Sequence, residues 1–210
     1  MNRAVIPISQ EQVPQHLRTN RSAFTRWFGR TFYRAIGWNL EGSIADAERV
    51  MVVAAPHTSN WDFVFGISAV FLSELDIRFY AKHQLFRGPL GWLLRWFGGR
   101  PVDRGAAASV VEQTQEFFAQ SDSLYMTLAP EGTRARVDKW KSGFWRMAVA
   151  AQVPIVCGYI DYKKKQVGIG PIITPSDNYE ADLAKILNYY AGISAAHPEN
   201  FGGQPGKPSS

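Results

Sequence analysis

The sequence predicts an α/β domain with a mostly parallel sheet flanked by helices. From about residue 43 onward, short apolar runs of strand length alternate with longer stretches of helical periodicity. The composition is that of an ordinary globular chain, 46% hydrophobic and 20% charged, which excludes wholesale disorder. At 210 residues the chain suits one domain, a size that buries roughly 70% of the unfolded surface.

The elements follow in order. Residues 22–36 have helical period: Phe24, Trp27, Phe28, Phe32, Ala35 and Ile36 fall on one face, while Arg26, Arg30 and Arg34 recur every four residues on another. Trp and Phe opposite Arg is the composition of a helix lying in a membrane interface, and equally of a helix packed on its domain with its arginines in water. Residues 49–55 read as a buried strand ended by Pro56, which has no amide for the ladder. A helix over 61–75, a strand over 77–81 and a short helix over 89–97 come next. Then come a helix over 106–120, a strand over 123–128 and a helix over 143–151. Strands near 153–160 and 166–170 and a helix over 179–195 close the pattern. The expected organisation is a basic amphipathic segment over 1–42, the α/β domain over 43–200, and a flexible tail rich in Gly and Pro over 201–210.

Charge and cysteine content narrow the class. The formal net charge is +5, and residues 1–34 carry six arginines against the single acid Glu11. A basic end suits nucleic acid or anionic lipid, and the interleaved Trp and Phe favour lipid. The longest apolar stretch, residues 63–72, is ten residues, about half of what a spanning helix needs. The polar N-terminus lacks the apolar core of a signal peptide. The single Cys157 leaves no internal disulfide framework and reads as a buried small hydrophobe within an apolar strand. The expected location is the cytoplasm, at the inner face of the membrane.

Three polar loops carry the candidate chemistry. Pro56-His57-Thr58-Ser59-Asn60-Trp61-Asp62 puts an imidazole and a carboxylate five residues apart at a strand-to-helix junction. Inside one continuous helix that spacing would splay them by about 140°. The break lets them converge, so that Asp62 holds one ring nitrogen and leaves the other as a base. The competing reading is a helix start, with Ser59-x-x-Asp62 satisfying the first amides. A second loop, Pro130-Glu131-Gly132-Thr133-Arg134, offers close backbone approach at Gly132, a hydroxyl at Thr133 and a planar anion-binding fork at Arg134; a plain turn with a solvated arginine is the alternative. In open α/β sheets ligands gather beyond the carboxyl ends of strands, where both loops fall. Between them, Asp103-Arg104 supplies either a second anion ligand or an internal pair, and His83 reads as structural. No G-x-S-x-G nucleophile elbow is present.

Four blocks in order resemble the glycerolipid acyltransferases, the enzymes related to 1-acyl-glycerol-3-phosphate acyltransferase. They are His57-x4-Asp62; Lys82-x2-Leu85-Phe86-x2-Pro89-x-Gly91 with Val102-Asp103-Arg104; Pro130-Glu131-Gly132-Thr133-Arg134; and Val153-Pro154-Ile155-Val156. They span about residues 50–160, which makes 43–200 the acyltransferase domain, and the segment 1–42 matches none of them. The resemblance implies that His57, oriented by Asp62, is the general base on an acceptor hydroxyl. That hydroxyl attacks the thioester of acyl-CoA or acyl-carrier protein, the co-substrate, with no metal, no cofactor and no covalent acyl-enzyme. Arg104 and Arg134 would hold the phosphate of a lysophospholipid acceptor, with Glu131, Gly132 and Thr133 shaping the pocket. The chain departs from the family pattern in having Pro56 before the histidine, where Asn is frequent, and Ala129 before the Pro-Glu-Gly-Thr-Arg run, where Phe is frequent. Those departures leave open a lyso-aminolipid or glycolipid acceptor. A non-catalytic lipid-binding relative is the further alternative, and nucleic acid is not an expected partner.

Overall fold

The computed structural model describes residues 5–7, 13, 17–19, 22–45, 47–102 and 107–202. Its eight strands are β1 (Val5–Pro7), β2 (Asn39–Ala45), β3 (Arg49–Ala54), β4 (Ile77–Lys82), β5 (Gly99–Val102), β6 (Leu124–Leu128), β7 (Ile155–Asp161) and β8 (Gln166–Ile173). They form one sheet in the order β1-β2-β8-β7-β3-β6-β4-β5. The β3–β6, β3–β7, β4–β6, β4–β5 and β2–β8 pairs are parallel; β7–β8 and β1–β2 are antiparallel. The expected α/β architecture with a mostly parallel sheet is the observed one.

Among the described residues six α-helices cover the sheet: α1 (Ala23–Ile36), α2 (Trp61–Ser73), α3 (Gly88–Trp96), α4 (Ala107–Ala119), α5 (Gly143–Ala150) and α6 (Tyr179–Tyr190). The crossovers from β3 to β4 and from β4 to β5 advance in one direction along the sheet, and those from β5 to β6 and from β6 to β7 return. Right-handed crossovers therefore put α2 and α3 on one face and α4 and α5 on the other. The cores agree with this, because alternate strand residues point to opposite faces. Met51, Val53, Met126 and Cys157 pack with Phe118, Phe144, Met147, Ile186 and Tyr190 from α4, α5 and α6. On the opposite face, Val50, Val52, Tyr125 and Val156 form a separate cluster, and Tyr33 of α1 packs with Phe65 and Ala69 of α2.

Helix α1 begins at Ser22, whose hydroxyl accepts the Thr25 amide, and ends at Gly37, which adopts the left-handed conformation with φ 68°. Its buried stripe is Thr25, Gly29 and Tyr33. A Cβ on Gly29 would stand 3.0 Å from both the Ser68 carbonyl oxygen and the Leu72 amide, so glycine here permits the close crossing of α1 over α2. Tyr33 adds a hydrogen bond from its hydroxyl to the Phe65 carbonyl at 2.9 Å. The apolar face expected from periodicity divides: Phe32 and Ile36 pack inward, while Phe24, Trp27 and Phe28 lie in solvent.

Two boundaries differ from the expectation. β2 runs through the division expected between residues 42 and 43 and pairs with β8, and Val13 and Leu17 are buried in the core. The described part of the first 42 residues is thus built into the domain. At the other end Phe201 is buried against Trp140, so the expected tail is anchored at its first residue; residues 203–210 lie outside the described residues. Strands β1, β2 and β5 were not legible from periodicity. β2 carries Asn39, Glu41 and Gly42, and β5 carries Gly99 and Pro101 at the sheet edge, where a missing amide is tolerated.

Candidate active site

Val53 of β3 pairs in parallel with Leu128 of β6, so the two strands end side by side and deliver their loops to one place. The loops touch: the His57 amide donates to Glu131 Oε1 at 3.1 Å. Beyond β6, Gly132 holds a left-handed φ of 69°, and its amide closes a turn on the Ala129 carbonyl. The Ala55–Pro56 peptide bond is cis.

His57 Nδ1 lies 3.2 Å from Asp62 Oδ2. Helix α2 starts at Trp61, so Asp62 sits in its first turn while His57 remains in the loop. Asp62 Oδ2 also accepts the amides of Thr58 and Ser59, each at 2.8 Å. The helix-start reading and the histidine-partner reading are therefore met by one oxygen. Asp62 Oδ1 accepts the Tyr162 hydroxyl at 2.7 Å. Burial pushes the Asp62 carboxyl up, but the bonds from His57, Tyr162 and Ser59 outweigh it and hold the group below the usual carboxylate range. An anionic, fully bonded Asp62 fixes Nδ1 as the protonated ring nitrogen and leaves Nε2 as the one able to accept a proton.

Glu131 is buried behind His57. Burial raises its carboxyl from the ordinary value to about 7, against the opposing effects of the bond from the His57 amide and the charge of His57. Its second oxygen, Oε2, is enclosed with no hydrogen-bond partner among the described residues, and a carboxylate there gains no donor to offset its burial.

His57, Asp62, Gly132, Thr133 and Arg134 line one cavity of about 830 Å³. It runs between α2 and the sheet, because α2 turns Gly66, Ala69 and Ser73 toward the strands and these small side chains leave the space unfilled. The deep wall is apolar, from Val52, Val70, Leu75, Ile77 and Phe79. Lys82 and Arg134, both exposed, bring cations to it.

The structure thus brings together His57, Asp62, Glu131, Gly132, Thr133 and Arg134. Arg104 and Asp103 lie outside the described residues; Val102, just before them, pairs with Lys82 at the same end of the sheet. His83 is exposed and opens a short 3₁₀ turn over His83–Phe86. Cys157 is buried and its thiol is pushed up to about 12 by burial, an inert position. Among the described residues no group of three His, Cys, Asp or Glu side chains is placed to hold a metal ion. Sequence reasoning missed Tyr162, which reaches Asp62 across 100 positions, and His197, whose amide donates to Thr58 Oγ1 at 3.2 Å. No local pattern marks either.

No curated protein matches the sequence at a significant level. Among solved structures, the chain is similar to the 1-acyl-sn-glycerophosphate acyltransferase PlsC of Thermotoga maritima, with a TM-score of 0.54 and 21% identity over 79% of this chain and 74% of that one. That likeness extends to the fold. A family model described as Acyltransferase matches residues 23–161, more than half of the chain, and its match takes in α1 as well as the loops of the site. The chain belongs to the Acyltransferase family and is an acyltransferase enzyme.

Proposed function

We propose that this enzyme transfers a fatty acyl group from the thioester of acyl-CoA or acyl-carrier protein to the hydroxyl of a lysophospholipid, with 1-acylglycerol-3-phosphate as the leading acceptor. The observation that carries this reading is the 3.2 Å pairing of His57 Nδ1 with Asp62 in the wall of a largely apolar cavity. His57 Nε2 takes the acceptor hydroxyl proton as the oxygen attacks the thioester carbonyl carbon. Asp62 stabilises the imidazolium that forms. When the tetrahedral intermediate collapses, the C–S bond breaks and the imidazolium returns the proton to the departing sulfur, giving an ester and a free thiol. The apolar wall takes acyl chain, and Arg134, Lys82 and the Arg104 segment take the acceptor phosphate. No cofactor takes part in these steps.

The membrane surface is a partner in this reading. Phe24, Trp27 and Phe28 are exposed on α1 beside Arg26, Arg30 and Arg34, the pattern of a helix seated in the interface at the inner face of the cytoplasmic membrane. No helix among the described residues is long and apolar enough to cross a membrane.

A second reading, a lyso-aminolipid or glycolipid acceptor, is favoured by one observation. Pro56 and Ala129, the two departures from the family pattern, both line the cavity beside His57. Thiol release from palmitoyl-CoA, followed with and without lysophosphatidic acid for wild type and His57→Ala, tests the proposal. Acceptor-dependent release that vanishes in the variant is expected. Release that persists in the variant sinks the base assignment, and release only with an aminolipid or glycolipid acceptor moves the choice to the second reading.

A further inference from the structure

Helix α3 leaves most of its apolar surface in water. Leu90, Trp92, Leu93 and Trp96 are exposed, Trp92 at 68%, and Gly91 alone in the helix is buried. Trp92, Leu93 and Trp96 share one side of the helix, being three and four residues apart. A contiguous apolar surface of this kind marks an interaction site. The surface is held firmly, because a Cβ on Gly91 would collide with the backbone of Phe86, so the helix start is pressed onto the turn before it.

The charge around the surface selects the partner. From Lys82 to Val102 the sequence holds no acid; Lys82, Arg87 and Arg95 are exposed there, Arg95 with one guanidinium nitrogen on the Phe86 carbonyl at 3.3 Å, whereas Arg100 lies over the Phe117 ring of α4 on the other face. Trp with Arg and without acids fits an anionic lipid headgroup layer. The surface also adjoins the cavity, since Leu85, Leu94 and Phe97 of the same segment line it. It lies on the same side of the sheet as α1: Phe71 of α2 touches Trp96, with ring centroids 5.5 Å apart, and Gly29 of α1 rests against the Ser68–Leu72 turn of that helix.

We propose that α3 is a second bilayer-docking element, which places Trp92, Leu93 and Trp96 in the interface of an anionic membrane with Arg87 and Arg95 at the phosphates. This extends the membrane reading of α1 and brings the cavity wall formed by Leu85, Leu94 and Phe97 against the lipid. It holds whichever acceptor the enzyme uses.

Flotation of the full chain with vesicles of equimolar phosphatidylglycerol and phosphatidylcholine, without substrate, tests it. Binding is read directly, so a failed acyl-transfer assay and a failed docking surface give separate results. Wild type is expected to float with these vesicles and far less with pure phosphatidylcholine. Trp92→Ser combined with Leu93→Ser is expected to lower partitioning about tenfold, and Trp92→Ser alone by a smaller factor. Both variants alter solvent-facing side chains, and an unchanged melting temperature verifies their fold. Flotation of the double variant equal to wild type, or no flotation of wild type, overturns the proposal. So does a wild-type dimer in size exclusion that the double variant dissociates while flotation stays the same, because the surface would then be covered by a second copy.

Discussion

The two helical layers on this sheet solve different problems with similar numbers of residues. On one face α4, α5 and α6 bury Phe118, Phe144, Met147 and Tyr190 to 6% exposure or less, and among the described residues the one large apolar side chain exposed there is Val149. Their charges are Arg146 and Lys185 against Glu112, Glu116, Glu180 and Asp182. On the other face α1, α2 and α3 expose Phe24, Trp27, Phe28, Trp61, Trp92 and Trp96 among others, and carry Arg26, Arg30, Arg34 and Arg95 against the single buried Asp62. The first layer closes the core. The second stands off the sheet over small residues, encloses the cavity and turns aromatic and cationic groups outward. The catalytic candidates lie where the second layer begins, at the start of α2.

The largest expected effect falls on the cavity layer. His57→Ala should lower acceptor-dependent turnover about a thousandfold or more, since a positioned base contributes up to about 10⁴-fold, and should leave the melting temperature close to wild type because His57 is partly exposed. The next contrast sets the layers against each other. Phe144→Ala, at 1% exposure in the closed core, should cost about 3–5 kcal/mol in urea unfolding through lost contacts and a cavity. Trp92→Ala on the open layer should stay within about 0.5 kcal/mol. Equal losses at the two sites would erase the distinction between the layers.

Glu131→Gln separates a buried carboxyl of the site from its neighbours. The folded-state pKa of Glu131 is raised from 4.5 to about 7, so the folded protein binds more protons than the unfolded chain between those values. Wild-type stability therefore falls as pH rises from about 4.5 to 7 and is level above that, a loss on the order of 3 kcal/mol. Glutamine keeps an oxygen for the His57 amide and carries no charge, so the variant should lack that slope and be the more stable protein at pH 8. Parallel denaturation curves for the two proteins across this window would place the Glu131 carboxyl in a far wetter setting.

Much of this layering was legible in the sequence, for physical reasons that differ by element. β3, β6 and β7 are continuous apolar runs because they are buried on both faces, and α2 reads as a helix from its length, with Pro56 ending the strand before it. His57, Asp62 and Glu131 stand out because charged residues at strand ends have few structural uses. The cavity was not visible, although its cause was: Asp62, Gly66, Ala69 and Ser73 fall at helical spacing, and a small-residue stripe facing a sheet leaves room. The division of α1 into packed and exposed aromatics was settled by Gly29, which in periodicity alone counts only against a helix. β2, next to the edge strand β1, and β5, at the opposite edge, carry Gly, Pro and polar residues, and pairing with other strands made them strands.

Tyr162 is the residue that sequence reading missed and that bears most directly on the dyad. Its hydroxyl donates to Asp62 Oδ1 at 2.7 Å, its ring rests edge-on against Trp38 at 5.2 Å and Phe65 at 5.7 Å, and it does not line the cavity. Burial and the neighbouring Asp62 charge raise the phenol, so it stays a donor throughout the working range. We predict that Tyr162→Phe, which preserves the ring contacts, lowers kcat about tenfold with little change in the acceptor KM, because Asp62 loses one of its fixing bonds while the substrate surface is untouched. The folded-state pKa of Asp62 is depressed, so its bonds contribute stability that is present above the unfolded value near 3.9 and lost as pH falls through the folded value. The stability difference between wild type and Tyr162→Phe, about 1.5–3 kcal/mol at pH 7 for a bond to a charged acceptor, should therefore shrink once the pH falls below about 4. A difference that persists unchanged in acid would mean that the hydroxyl serves packing in the wall formed by Trp38 and Phe65 rather than the carboxylate.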